Sequence, residues 1–220
     1  MTDILDLVQS VEKRIKEKGV NWAFTAHDFA DCGPARKIIG VFHQLVREEF
    51  IRHATRTVYY YPDYHPMIGI CSPSSGKVLK AIERWTGERI WPTGASAANM
   101  TGMCTQVPAK PIYVTTGKPR NITFLESGYT IQLQEMTMPR TLKRPITYLV
   151  LAGIDNLGPR IVDQRKIDIA AKHLTPEDKM DIEENLSHIQ DPWLSDIARQ
   201  LIAWEKPSWV RDPDDPFYSN

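Results

Sequence analysis

Apolar residues recur at helical spacing in the first quarter of the chain. Over residues 34–49, four of them follow the i, i+3, i+4, i+7 pattern, namely Ile38, Val41, Phe42 and Leu45. Side chains with this spacing share one face of a helix. The pattern therefore predicts an amphipathic helix with a single buried stripe.

The residues before this helix predict three more elements. Residues 2–18 carry a similar stripe, which consists of Ile4, Val8, Val11 and Ile15. Residues 20–24 can form a short strand. Thr25 is a good N-cap, and Asp28 supplies the acidic half of a capping box, so a short helix follows. Pro34 favours the first position of the next helix.

A hairpin is predicted directly after the second amphipathic helix. Residues 50–61 read as a strand, a basic turn and an aromatic strand. A short helix, a tight turn, a longer helix and a basic hairpin, in this order, are typical of a winged helix-turn-helix. That module places one helix in a DNA groove. Residues 1–66 are therefore predicted to be a DNA-binding domain.

The face of the helix opposite its buried stripe is rich in hydrogen-bond donors and lacks acids. At about 100° per residue, Gly40 lies at its centre, where it permits a close approach to a groove. In the hairpin, Arg52 and Arg56 can meet phosphates or a minor groove. The candidate DNA-binding residues are Thr25, Arg36, Lys37, His43, Gln44, Arg47, Arg52 and Arg56.

Two other interpretations of the same residues stay open. The segment can be a folding helical hairpin without a ligand, because an amphipathic helix with a charged outer face is common. It can also be a winged helix that contacts protein, with a toxin or another partner held by the rest of the chain.

The remainder of the chain predicts consecutive strands followed by helices. A helix over residues 77–85 has Val78, Ile82 and Trp85 inward. The small-residue segment 94–102 predicts a close-packed helix. A further strand covers residues 88–91, and three strands cover 112–116, 121–125 and 129–136. Later helices cover 144–157 and begin at Thr175-Pro176 and Asp191-Pro192, while 207–220 reads as loosely ordered.

These elements predict an α+β fold. An N-terminal winged helix-turn-helix is followed by an α+β domain with a small, mainly antiparallel sheet and by C-terminal helices. The predicted boundaries are 1–66, 71–173 and 174–220, with a stiff linker at 61–66.

The charge is distributed unevenly, although the 220 residues carry no net charge. Residues 71–173 have 14 basic and 7 acidic side chains, whereas residues 174–220 have 4 and 11. The basic middle and the acidic end can pair within one chain or across a dimer. Six cations of the middle form either a solvated face or a second contact surface: Lys110, Lys118, Arg120, Arg140, Lys143 and Arg144.

No motif predicts catalysis. Three widely spaced cysteines and six histidines lack metal-ligand spacing, and Gly76-Lys77 lacks the Walker spacing. We expect no cofactor, no metal and no membrane segment, in a protein of the reducing cytoplasm. An enzyme whose site is assembled from distant residues is the least favoured interpretation.

Longer segments of the chain resemble a known family. The hairpin ends in TVYYYP, and SPSSGKVLKAI, RIWPTGASAANMTGMCTQVPAK and PIYVTTGKPRNITF follow. Over about residues 5–157 the chain resembles the AbiEi family of type IV antitoxins and a related bacterial family of uncharacterised function. The PTGASAANMTGM segment is the most specific part of this likeness.

The resemblance implies a transcriptional autorepressor. In that family, the winged helix binds double-stranded DNA repeats upstream of its own operon. The second domain serves dimerisation, DNA contact or protection against a nucleotidyltransferase-like toxin. The DNA-reading role would fall on the helix and hairpin residues given above, from Arg36 to Arg56. A homodimer is expected because repeated operators require paired modules.

Overall fold

A computed structural model describes residues 4–205 as a mixed α+β protein with small sheets and C-terminal helices. The chain divides into two compact units. Unit 1 contains the residues up to Ile90 together with Tyr113–Glu135, and unit 2 contains Trp91–Ile112 and the residues from Met136 onward. Along residues 4–205, every helix is too short or too polar to cross a bilayer.

The N-terminal elements of unit 1 combine helices with a small antiparallel sheet. In chain order they are α1 (Ile4–Lys18), β1 (Ala23–Phe24), a 3₁₀ helix (Ala26–Phe29), α2 (Ala35–Arg47), β2 (Arg52–His53) and β3 (Tyr59–Tyr60). The strand order is β1-β3-β2, so the last strand lies in the middle. Tyr60 pairs with Ala23 on one side and with Arg52 on the other.

The core beneath this sheet is aromatic. All four residues of the predicted α2 stripe are buried, which confirms that prediction. Phe42 from this stripe packs edge-on against Phe24 and Phe29, with ring centroids 5.4 Å apart in each pair. The α1 stripe differs from the prediction, because Leu7 is buried and Ile4 is 70% exposed. The buried side of α1 is therefore rotated toward Leu7.

The rest of unit 1 contains a hairpin, a helix and a second sheet. Its elements are β4 (Asp63–His65), β5 (Gly69–Cys71), α3 (Ser75–Thr86), β7 (Tyr113–Thr115), β8 (Arg120–Thr123) and β9 (Thr130–Glu135). The strand β6 (Ile90–Pro92) lies where the chain passes into unit 2. Within the second sheet, β9 lies between β7 and β8, parallel to β7 and antiparallel to β8.

Two predictions in this part were wrong. The segment 61–66 is not only a linker, because its second half pairs with Gly69–Cys71 to form the β4–β5 hairpin. Trp85 does not point inward and is 47% exposed, whereas Val78 and Ile82 are buried as predicted. In the last turn of α3 the neighbouring Arg84 makes the contacts instead, and it donates to the Ala23 carbonyl over 2.8 Å.

Unit 2 is helical. Its helices are α4 (Ala95–Met100), α5 (Pro145–Leu157), α6 (Gln164–Ala171), α7 (Pro176–Asn185), a 3₁₀ turn (Leu186–His188) and α8 (Pro192–Ala203). The predicted starts at Thr175 and Asp191 are confirmed, since both side chains accept a backbone N–H of the first turn. Helix α6 was not predicted. The predicted loose segment 207–220 lies outside the described residues.

The prediction of a close-packed helix in the small-residue segment is confirmed. A Cβ atom built on Gly153 of α5 would lie 3.0 Å from the backbone of Ala98 on α4. A Cβ atom at this distance would require the Ala98 backbone to shift by a few tenths of an ångström. Glycine at this position lets the two helices approach without that shift.

The basic middle and the acidic end of the chain pair inside unit 2. Arg144 forms an ion pair with the buried Asp178 of α7, and Lys143 Nζ lies 2.8 Å from Glu184. The Asp181 carboxylate also accepts the backbone N–H groups of residues 143 and 144 over 3.1 Å. These contacts occur within one chain, and they join segments that the predicted boundary near 174 separated.

Candidate nucleic-acid interface

The start of the segment predicted to be a helix-turn-helix is fixed by a capping box. Asp28 accepts the Thr25 N–H over 2.9 Å, while Thr25 Oγ1 accepts the His27 N–H over 3.3 Å. Thr25 is 3% exposed. Its side chain is thus buried, and its hydroxyl is engaged in the cap that starts the 3₁₀ helix. Pro34 is the N-cap of α2 and precedes the first helical residue.

The outer face of α2 is cationic and open. Arg36, Lys37, His43 and Arg47 are all exposed. Within residues 4–205, none of these four side chains has a hydrogen-bond or ion-pair partner. Gln44 differs because it is half-buried and donates to Glu48 over 2.9 Å.

The turn of the β2–β3 hairpin presents a further cation. Thr55 Oγ1 accepts the Val58 N–H over 3.2 Å, and the Ala54 N–H donates to the Val58 carbonyl over 2.9 Å. These bonds fix a tight turn in which Arg56 is exposed. We call Arg56 and the four open α2 side chains the cationic face.

Arg52 is held by a carboxylate, unlike Arg56. Its Nε donates to Glu126 over 2.6 Å, and the Tyr60 and Ser72 hydroxyls donate to the other oxygen of that carboxylate over 2.8 and 2.6 Å. Burial alone would raise the pKa of Glu126, but these three hydrogen bonds outweigh it and hold the pKa below its usual value. The charge of Arg52 is therefore largely compensated inside unit 1.

Two acids that precede α2, Asp31 and Asp28, are also paired with arginines. Arg14 donates to both carboxylate oxygens of Asp31, over 2.7 and 2.6 Å, and lowers the pKa of that group to about 2. Arg84 Nε donates to Asp28 over 2.7 Å. Paired acids contribute little negative potential near the cationic face.

Gly40 leaves the middle of α2 bare. A Cβ atom built at this position would meet nothing within 4 Å, and the backbone there is not left-handed. Neither packing nor backbone conformation in unit 1 therefore requires glycine at this site.

The six residues of the predicted second basic surface belong to both units. Lys118 and Arg120 lie in unit 1, and the other four lie in unit 2. Among them, Arg120 pairs with the buried Glu88, Lys143 with Glu184 and Arg144 with Asp178. Hydrogen bonds from Arg120, Thr115 and Thr86 hold the pKa of Glu88 below its usual value, although burial acts in the opposite direction.

A pocket beside α2 was not predicted from the sequence. It is lined by Trp85, Ile39, His27, His43 and Arg56, among others. The helical spacing of α3 predicted that Trp85 points inward. The exposure of Trp85 in the folded chain is what reveals the pocket. Within the described residues, no group of three or more His, Cys, Asp or Glu side chains could hold a metal ion.

Comparison with known proteins identifies a family. A family model with the description "Family of unknown function (DUF6088)" matches residues 10–182. No curated protein matches the chain, and no solved structure matches it.

Proposed function

The chain belongs to the DUF6088 family, and we propose that it is a transcriptional regulator that binds double-stranded DNA. In this proposal α2 enters the major groove and the β2–β3 turn contacts the backbone or the adjacent minor groove. The cationic face supplies the contacts.

The observation that carries the proposal is a contrast in pairing among the arginines of unit 1. Arg14, Arg52, Arg84 and Arg120 each form an ion pair with a carboxylate. Arg36, Arg47 and Arg56 have none within the described residues, although all three are exposed. Cations left without acids on one helix and one turn are available to phosphates and to base edges.

The order of the elements also supports the proposal. A helix, a strand, a short helix, a longer helix and a two-stranded hairpin follow one another, and the strand pairs with the hairpin in the β1-β3-β2 sheet. In a winged helix-turn-helix the second helix of the pair reads the groove and the hairpin is the wing. Here these elements are α2 and β2–β3.

Binding to the protein's own upstream DNA tests the proposal. We expect selective binding to that fragment over a scrambled one, with an affinity that falls as salt rises. Replacement of Arg36 and Arg47 by Gln removes two cations from the helix, and should lower the slope of log K against log salt by about 2. A variant with Lys13 and Lys80 replaced by Gln has the same net charge and should bind like the wild type. Equal affinity of both variants would refute the role of α2.

An autorepressor and antitoxin role is the more specific form of this proposal. It rests on the resemblance to the AbiEi family and requires a partner toxin of the nucleotidyltransferase type. Co-expression with the product of an adjacent gene would test it. We expect protection from growth arrest and a stable complex if the role is correct. If co-expression does not relieve the growth arrest, the antitoxin role is refuted, and DNA binding remains the proposed function.

Self-association through β4–β5 is a second candidate function. Tyr64, Met67, Ile68 and Ile70 of this hairpin are exposed, and Met67 is 88% exposed. A two-stranded hairpin is marginal in water unless something packs against it. We assign this surface to a second copy of the chain, because a repeated operator needs paired modules. Light scattering should show a dimer that Met67→Lys with Ile68→Lys converts to a monomer, whereas an unchanged mass would refute the assignment.

A further inference from the structure

The pocket beside α2 has the size of a small-molecule site. It opens between the 3₁₀ helix, the first half of α2, the β2–β3 turn and the end of α3, all within unit 1. Its volume is about 590 Å³. Pockets that hold small organic ligands lie in the range of about 300–1,000 Å³.

One wall of the pocket is apolar. Trp85 and Ile39 line it, and these side chains are 47% and 39% exposed. Tyr59, which is buried, also lines it. A large indole left open beside an isoleucine offers a flat surface on which an aromatic ring can stack and lose its contact with water.

The polar part of the pocket is basic. Its basic lining residues are His27, His43 and Arg56, and no Asp or Glu lines it. Asp28, which adjoins this lining in the chain, is engaged by Arg84 over 2.7 Å. A guanidinium without a carboxylate partner binds an anion through charge-assisted hydrogen bonds. The charge of the pocket is therefore complementary to an anion.

We infer that this pocket binds a small aromatic carboxylate. The ring packs against Trp85 and Ile39, and the carboxylate accepts hydrogen bonds from Arg56. The two histidines lie on the same lining and add donors for the anionic end.

The position of the pocket gives such a ligand a regulatory effect, and this part rests on the proposed function. Arg56 and His43 belong both to the pocket lining and to the cationic face. A carboxylate bound to Arg56 occupies the donors that a phosphate would use. Ligand and DNA therefore compete, and the ligand acts as an inducer that releases the regulator from its operator.

Binding of naphthoate by the purified full-length protein tests the inference without DNA. Isothermal titration calorimetry is run with naphthoate and with the uncharged naphthamide, on the wild type and three variants. We expect naphthoate to bind about tenfold more tightly than naphthamide, because the amide lacks the charge that Arg56 attracts. Trp85→Ala and Arg56→Gln should each weaken naphthoate binding about tenfold. Arg47→Gln, which removes a cation of α2 outside the pocket, should leave it unchanged.

The outcomes separate this inference from the proposed function. No saturable naphthoate binding, equal binding of the amide, or full binding by a folded Trp85→Ala variant would overturn the inference. Loss of DNA binding in Arg47→Gln together with retained naphthoate binding would support both proposals. If naphthoate binds as expected and no DNA fragment does, the pocket stands and the DNA-binding function fails.

Discussion

The guanidinium of Arg84, on α3, lies 2.7 Å from the carboxylate of Asp28, which caps the 3₁₀ helix. The same guanidinium donates to the Ala23 carbonyl on β1 over 2.8 Å. One side chain of α3 thus holds both β1 and the 3₁₀ helix that precedes α2. Helix α3 is therefore part of the support for α2, although it follows the predicted DNA-binding domain in sequence.

Removal of this contact should destabilise unit 1. Arg84→Gln leaves the Asp28 carboxylate, whose side chain is 10% exposed, without its cation. Hydrogen bonds to charged groups contribute about 1.5–3 kcal/mol, so we expect the free energy of unfolding to fall by about 2 kcal/mol. Urea denaturation measures this free energy. Arg199→Gln breaks an exposed pair with Asp196 and should cost about 0.5 kcal/mol or less. Equal costs for both variants would contradict the supporting role of Arg84.

Gly40→Ala should stabilise the protein and weaken its binding to DNA. The added methyl group meets nothing within 4 Å, and Ala favours a helix interior over Gly by about 1 kcal/mol. On the proposed interface the same methyl group keeps α2 away from the groove. Thermal unfolding and DNA titration together test both effects. Gly76→Ala, at an equally open site on α3, should not change DNA affinity. Unchanged affinity in Gly40→Ala would show that α2 does not approach DNA closely.

The local parts of the fold could be predicted from the sequence. The α2 stripe and the starts at Thr25, Thr175 and Asp191 depend on residues within a few positions of one another. The β4–β5 hairpin could not be predicted, because its strand residues are all exposed or half-buried and leave no buried face to be recognised in the sequence.

Release of Arg52 should strengthen DNA binding. Glu126→Gln keeps an acceptor for Tyr60 but removes the charge that compensates Arg52. We expect DNA affinity to rise about threefold to tenfold at low salt, and the difference to shrink as salt rises. In the wild-type background, Arg56→Gln should reduce affinity more than Arg52→Gln. The reverse order would show that Arg52 leaves Glu126 when DNA binds.

The Glu126 carboxylate should also make the stability of the folded protein depend on pH in the acidic range. The pKa of Glu126 is lower in the folded protein than its ordinary value of 4.5, so the unfolded chain takes up the proton first as pH falls. Its contribution is complete above about pH 5 and is lost at lower pH as the folded-state pKa is passed. Urea midpoints from about pH 6 down to about pH 3 should therefore fall less steeply for Glu126→Gln than for the wild type. Parallel curves would refute this contribution.

Gly153→Ala should have the opposite effect on stability to Gly40→Ala. The new methyl group would lie 2.7 Å from the Met103 Cε and 3.0 Å from the Ala98 backbone. The end of the methionine side chain can move, but the Ala98 backbone on α4 would also have to shift by a few tenths of an ångström. Overpacking of this kind costs about 1–3 kcal/mol. Chemical denaturation of the two glycine variants side by side tests whether their free energies of unfolding change in opposite directions. A Gly153→Ala variant as stable as the wild type would contradict the close packing.

The composition of the cationic face could be predicted, but the pairing of its members could not. Arg36, Arg52 and Arg56 look alike in the sequence. Glu126, which binds Arg52, lies 74 residues further along the chain, in the turn between β8 and β9. A charge pattern along one helix identifies which cations face outward, but only the folded chain shows which of them meet an acid.

Two carboxylates that cap helices have a second role, which is to bind an arginine distant in sequence. Asp28 caps the 3₁₀ helix and binds Arg84, and Asp178 caps α7 and binds Arg144. In each case a carboxylate that begins a helix also holds an arginine distant in sequence. Fraying of the first turn and loss of the distant contact are then one cooperative opening. In hydrogen exchange, the backbone amides of Thr25 and Thr175 should therefore exchange at the same slow rate as the amides of the packed elements around them. This rate should be much lower than that of amides at the exposed ends of helices.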